Sequence, residues 1–60
     1  MRVPKTGDRM IETFCGLTTY IVCEVKATRF CVVPEKGIGP RLWYTFDQIG
    51  QPGFIDYIAE

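Results

Sequence analysis

The chain has 60 residues, 47% of them hydrophobic, and its seven basic and seven acidic side chains cancel to a formal net charge of zero. This length predicts one domain over residues 1–60, which buries only about 60% of the surface of its unfolded chain, so that a partner or a second copy would add stability. Zero net charge excludes a broad field that attracts nucleic acid or anionic lipid, and the high apolar content excludes a disordered tail.

Gly and Pro divide the chain into short runs rich in β-branched and aromatic residues, which is typical of a small all-β barrel. Residues 1–6 are predicted as an extended arm. Strands are predicted at residues 9–15, 18–25, 30–33 and 41–46. Asp47, Gln48 and Ile49 are predicted to form one helical turn. Residues 54–60 are predicted as a fifth strand, with a short helix as the alternative.

The second strand alternates two sets of side chains. One set is Thr19, Ile21, Cys23 and Val25, and the other is Tyr20, Val22 and Glu24. The loop that follows determines which set faces the core. The sequence favours the first set for the core and therefore predicts that Tyr20 and Val22 lie on the outer face.

The loop at residues 26–29 has no Gly or Asn, so it favours a four-residue connection built on a type I turn. That loop pairs Val25 with Phe30 and Cys23 with Val32, which gives an apolar inner face. A three-residue loop remains the alternative. It would place an arginine opposite Val25 and bury a charge beside the core.

The alternation in the strand predicted at residues 41–46 indicates that its tryptophan faces outward. Its inward set is Leu42, Tyr44 and Phe46. Strict alternation then turns Trp43 outward beside Arg41, and this pair of residue types is enriched in binding hot spots. The alternative is that Trp43 caps a minor core. Tyr20 and Val22 would extend the same outer patch.

Ile38 is a further candidate binding residue, because it lies between two glycines in the turn-rich segment at residues 34–40. An apolar side chain in that position is difficult to bury within its own loop. It either packs over the end of the barrel or contacts a partner.

The three cysteines Cys15, Cys23 and Cys31 are predicted to be reduced. An odd number of cysteines without a secretory signal is typical of a reducing compartment, and buried Cys behaves as a small hydrophobe. Three scattered thiols without His do not make a zinc site, so no metal is expected. The alternative role is one reactive thiol, for which the outward Cys31 is the candidate.

Catalysis has little support in the composition, because the chain contains no Ser and no His. These residues are the usual hydroxyl nucleophile and the commonest general base. The sequence therefore predicts a protein that is not an enzyme and has no cofactor. The N-terminus lacks the apolar core of a signal peptide, and no apolar run approaches the ~20 residues of a membrane span. We expect a cytoplasmic protein that does not contact membranes.

The order of these elements resembles the SH3-like small barrels of bacterial and phage proteins. The resemblance depends on Gly7, Asp8 and Arg9 before the first strand and on Trp43 and Tyr44 followed by Asp47, Gln48 and Ile49. It implies a five-stranded barrel that spans most of the chain. Small size and the absence of a catalytic motif are typical of an accessory or inhibitory factor from a mobile element.

The layout is also similar to the type II dihydrofolate reductases, whose tetramer of small barrels forms one pore. Their pore strand has the sequence Val-Gln-Ile-Tyr, and only Tyr44 aligns with it here. The Gln that contacts ligand in that family has no counterpart. This small oligomeric enzyme is therefore the third hypothesis.

The sequence favours a non-catalytic module that binds a protein partner or a second copy of itself. The second hypothesis is a nucleic-acid-binding barrel, in which bases stack on Trp43 and Tyr20 beside basic residues.

Overall fold

The computed structural model describes residues 3–16 and 18–58. These residues form five antiparallel strands that curl into a half-barrel in the order β4-β3-β2-β1-β5. The strands are β1 (Arg9–Glu12), β2 (Thr19–Val25), β3 (Arg29–Pro34), β4 (Leu42–Thr45) and β5 (Ile55–Tyr57). A 3-10 turn at Phe46–Gln48 joins β4 to the last connection. The predicted all-β class with five strands and one short helical turn is confirmed, whereas membership of the SH3-like superfamily stays a prediction.

The hairpin between β2 and β3 contains a β-bulge that the sequence does not reveal. Val25 pairs with Phe30, as the four-residue loop requires, but the register shifts between Val22 and Glu24. Cys23 is the extra residue, so Val22 rather than Cys23 lies opposite Val32. The predicted pairing of Cys23 with Val32 is wrong, because one unpaired residue reverses the alternation along the first half of the strand.

The bulge also reverses the predicted positions of Tyr20 and Val22. Val22 is fully buried in the core, and Tyr20 packs against that core. The prediction that both lie on the outer face is wrong. Both alternating sets of this strand are mainly apolar, so hydrophobicity alone does not distinguish the inner set from the outer one.

Aromatic rings fill the inside of the curled sheet. The ring of Phe30 lies 6.0 Å from that of Tyr44 and 6.1 Å from that of Phe46, measured between centroids. The fully buried hydrophobic residues of the core cluster are Met10, Val22, Phe30, Val32 and Ile55. Full burial of a side chain such as Phe30 contributes about 2 to 3 kcal/mol, which is large for a domain of this size.

The 3-10 turn keeps Phe46 against the core. The backbone N–H of Thr45 donates to the Gln48 side chain at 3.0 Å, and the Thr45 hydroxyl donates to Asp47. Gly50 follows with a φ of +84°, a conformation that L side chains rarely adopt. The predicted turn at residues 47–49 is therefore present, displaced by one residue toward the N-terminus.

The final segment closes the sheet as a strand, not as the alternative helix. β5 pairs with β1, so that Met10 lies opposite Tyr57 and Glu12 opposite Ile55. The N–H of Gly50 donates to the carbonyl of Ile55 at 2.8 Å. Residues far apart in the sequence therefore complete the core side by side.

The segment before β1 is hydrogen-bonded to β2. Pro4 is fully buried, the N–H of Gly7 donates to the carbonyl of Val22 at 2.8 Å, and the N–H of Val22 donates to the carbonyl of Asp8 at 2.9 Å. Met1 and Arg2, which belong to the predicted extended arm, lie outside the described residues.

Within residues 3–16 and 18–58, no helix has the length and apolar character to cross a membrane. The cytoplasmic location stays a prediction.

Candidate functional site

Trp43 projects from the outer face of β4. Its neighbours Leu42 and Tyr44 pack against the core, while the Trp43 side chain keeps 40% of its surface exposed. The outward direction predicted from alternation agrees with this position. Trp43 lies opposite Cys31 of β3, and Cys31 has no exposed surface. Trp43 therefore covers part of the sheet and still presents an aromatic surface to solvent.

Arg29 stacks on the exposed tryptophan. Its guanidinium carbon lies 4.6 Å from the centroid of the Trp43 ring, which is the geometry of a cation–π contact. The contact arises because Arg29 is the first residue of β3, opposite Thr45, and so shares the outer face with Trp43. The sequence did not indicate that Arg29 lies beside Trp43, because this residue was predicted to belong to the loop at residues 26–29. Arg29 lies two residues before Cys31 and so has the same outward parity, but this signal appears only if the predicted strand is extended by one residue toward the N-terminus.

Two other cations of the domain, Arg9 and Lys26, are paired with carboxylates. Arg9 lies 2.9 Å from the Glu35 carboxylate, and Lys26 lies 3.3 Å from that of Glu24. The Arg9 hydrogen bond is the main cause that lowers the pKa of Glu35. These two cations are therefore neutralised locally.

Arg29 and Arg41 differ from those cations, since neither forms an ion pair with any carboxylate in the part of the chain that the structure describes. Arg41 is exposed and immediately precedes β4, and its charge acts on the Cys31 thiol. We call the set Arg29, Arg41 and Trp43 the tryptophan patch. It offers an aromatic ring and two guanidinium groups without a carboxylate.

Cys31, the candidate for the alternative role of a reactive thiol, is not exposed. It lies on the same face as Trp43 but is completely buried. Burial, followed by the neighbouring Cys23 thiol, raises the pKa of Cys31 to about 11, which disfavours the nucleophilic thiolate. Cys23 is half-buried, and Cys15 is the exposed thiol of the three. Cys15, Cys23 and Cys31, all within the described residues, form no disulfide.

Ile38 is fully exposed, at 106% of its reference surface, so the hypothesis that it packs over the end of the barrel is wrong. In the same loop, Gly39 passes close to Pro34. A Cβ atom on Gly39 would lie 2.8 Å from the Pro34 side chain, which only glycine tolerates without a shift. Contact of Ile38 with a partner stays a prediction.

Glu12 is the polar residue whose burial the sequence did not indicate. It is 1% exposed, and its carboxylate accepts hydrogen bonds from the backbone N–H of Cys15 at 3.1 Å, from the Cys15 thiol at 3.3 Å and from the N–H of Thr18 at 3.5 Å. Its charge also helps to raise the pKa of Tyr44, after burial and Tyr20. The position of Glu12 two residues after the buried Met10 was the available signal for an inward side chain.

The hydrogen bonds of Glu12 hold a loop against the sheet. A carboxylate that accepts several loop hydrogen bonds satisfies buried donors and holds the connection between β1 and β2. Among the described residues, no group of three or more His, Cys, Asp or Glu side chains is placed to hold a metal ion.

Comparison with known proteins does not extend these observations, since no protein-family model, curated protein or solved structure matches the chain.

Proposed function

We propose that this chain is a non-catalytic module that binds another protein through the tryptophan patch. The observation that supports it best is the position of Trp43, which is 40% exposed on an edge strand and stacked against Arg29. Trp and Arg dominate the binding energy of protein interfaces because they combine a large apolar area with directional hydrogen bonds. A role as an accessory factor is consistent with this proposal.

Nucleic-acid binding is the weaker candidate. The net charge of zero gives little attraction to phosphates, and Arg29 already occupies a face of the Trp43 ring. Tyr20, the second stacking residue that this hypothesis requires, packs against the core. The reductase hypothesis is weaker still, because Tyr44, the one residue that aligns with the pore strand, faces Phe30.

The proposal is tested by cross-linking in the source cell. Tagged wild-type chain, Trp43→Ala and the control Phe14→Ala are cross-linked with formaldehyde, and captured proteins are quantified by mass spectrometry. Phe14 is a matched control because it is an aromatic residue with 70% exposure, remote from the tryptophan patch in sequence.

We expect a protein that the wild type and Phe14→Ala capture equally and that Trp43→Ala captures at least about tenfold less, as for a binding hot spot. Identical captured sets for all three chains would contradict the proposal. Capture of nucleic acid instead of protein would favour the second hypothesis.

A further inference from the structure

The tryptophan patch lies beside an unpaired strand edge. β4 is the last strand in the sheet order and pairs with β3 on one side only. The other side of an edge strand presents backbone N–H and C=O groups that can pair with another chain. Which groups face that side follows from the hydrogen bonds at the end of β4.

Arg29 and Thr45 form a pair without hydrogen bonds between β3 and β4. The N–H of Thr45 donates to the Gln48 side chain at 3.0 Å, so it does not point at β3. The carbonyl of Arg29 accepts from the N–H of Lys26 at 2.8 Å, on the β2 side of the strand. Both partners of this pair therefore direct their backbone groups away from each other.

Hydrogen-bonded and non-hydrogen-bonded pairs alternate along an antiparallel ladder. The pair formed by Cys31 and Trp43 lies two positions along the ladder from the pair formed by Arg29 and Thr45. It is therefore also a pair without hydrogen bonds between the two strands. The N–H and the C=O of Trp43 both point away from β3, at the open edge. Within the described ranges 3–16 and 18–58, no turn, loop or cap donates to or accepts from either group.

The charge beside this edge is positive. Arg41 precedes Trp43 by two residues and so has the same outward parity, and the Arg29 guanidinium lies over the indole ring. No carboxylate of the described residues neutralises either arginine. Trp43 therefore combines an open backbone donor and acceptor with an aromatic side chain, and two arginines without an ion pair among the described residues lie on the same outer face.

From this juxtaposition we propose that the partner binds as an added β-strand on the open edge of β4, through an extended segment with an acidic side chain next to Arg41. The inference rests on the proposed function and specifies its partner. Backbone hydrogen bonds to Trp43 give the segment its direction, and side chains on alternate positions of the segment contact the tryptophan patch.

A second copy of this chain fits the edge less well. Two copies paired antiparallel around Trp43 would bring Arg29 and Arg41 of both chains onto one outer face. Four arginines on one face of the joined sheet repel one another, whereas an acidic segment is attracted. Charge complementarity therefore selects the acidic segment as the occupant.

The experiment uses a displayed library of random 12-residue peptides, selected on the immobilised full chain and counter-selected on Trp43→Ala. Enriched peptides are synthesised, and their affinities are measured for the wild type, the double variant Arg29→Gln with Arg41→Gln, and the control Lys36→Gln. Hydrogen exchange of the Trp43 amide is followed by NMR with and without saturating peptide.

We expect the enriched peptides to be rich in β-branched and aromatic residues, which favour strands, to contain Asp or Glu and to lack a central Pro. The double variant should bind them about tenfold more weakly, Lys36→Gln should bind them as the wild type does, and the Trp43 amide should exchange at least about tenfold more slowly in the complex.

Other outcomes overturn the inference in distinguishable ways. Peptides that need Trp43 but leave its amide unprotected, or that lack acidic residues, would refute strand addition while the proposed function stands. A failure to enrich any peptide that depends on Trp43 would also refute it, and the cross-linking experiment would judge the proposed function separately. A dimer in light scattering that Trp43→Ala dissociates would assign the edge to a second copy.

Discussion

The two faces of β4 use their aromatic side chains differently. On the inner face, Tyr44 packs against Phe30 at 6.0 Å between ring centroids, within a core of fully buried residues. On the outer face, Trp43 is 40% exposed and lies under a guanidinium at 4.6 Å. Adjacent residues of one strand thus face the core and the solvent, and substitutions on the two faces should have separable effects.

The largest expected effect belongs to the inner face. Phe30→Ala removes the ring that packs against Tyr44 and Phe46, and a large core aromatic replaced by Ala costs about 3 to 5 kcal/mol of unfolding free energy. Because small domains have little more stability than that, we expect the variant to be largely unfolded. Urea denaturation followed by circular dichroism measures it, with Phe14→Ala as a control that should keep wild-type stability. A folded Phe30→Ala would mean that the core does not depend on this ring.

The next effect concerns Glu12, a carboxylate that is buried at the inner face. Glu12→Ala should lower the unfolding free energy by about 1 to 3 kcal/mol, because the hydrogen bonds that the buried carboxylate accepts from Cys15 and Thr18 are lost. Glu24→Ala is the control, because the Glu24 side chain is 42% exposed and its ion pair with Lys26 lies at the surface, and it should change the free energy by less than about 0.5 kcal/mol. Equal effects of the two substitutions would show that Glu12 is not needed to hold the loop.

A pH titration tests the burial of Cys31 beneath the outer face. Its ordinary pKa of 9.0 is raised to about 11 by burial, by Cys23 and by the charge of Glu24, against an opposing effect of Arg41. Between pH 9 and 11 the unfolded chain has released a thiol proton that the folded chain retains, so stability should fall as pH rises through this window. The loss attributable to the thiol is on the order of 2 kcal/mol.

Cys31→Val removes the thiol at nearly constant volume, and its stability should decline less steeply over the same pH range. The pKa of Tyr44 is also raised by burial, so a smaller decline should remain in the variant. Parallel pH curves for the two chains would show that Cys31 does not titrate with a raised pKa.

The smallest effect on stability should come from the outer face. Trp43→Ala removes a half-covered ring and its contact with Arg29, for which we expect a loss of about 1 kcal/mol or less. Thermal unfolding by calorimetry measures this loss. A loss comparable with that of Phe30→Ala would break the contrast between the two faces and would assign Trp43 to the core.

The alternation of apolar and polar residues correctly predicted which side chains face the core where only one of the two alternating sets in a strand is apolar. Trp43 lies outside and Tyr44 inside, as expected, because only one parity of β4 gives a continuous apolar face. Tyr20 and Val22 were misplaced because β2 is apolar on both parities and because the bulge at Cys23 depends on pairing with β3. A bulge adds one residue without changing composition, so the sequence of the strand does not reveal it.

The candidate site shows the same limit. The positions of Trp43 and Arg41 follow from local parity, whereas the contact of Arg29 with the ring depends on the length of β3 and on its register with β4. The burial of Glu12 depends on the path of a loop that brings backbone N–H groups toward its carboxylate. Cys31 was the candidate for the alternative role of a reactive thiol because its outward parity follows from the sequence, whereas its complete burial depends on the packing of the sheet.

The pairing of β5 with β1 has a consequence for the rate of folding. β1 to β4 each pair with their neighbour in the chain, so successive hairpins close short loops, but Tyr57 must find Met10 across almost the whole sequence. Contacts of such long range raise the contact order, and the entropy of closing the loop is lost before the contact stabilises the chain. Docking of β5 should therefore be a late event that limits the folding rate. Until it occurs, Met10 and Glu12 have no β5 residues beside them, and β1 has an open edge of the kind that makes β proteins aggregate.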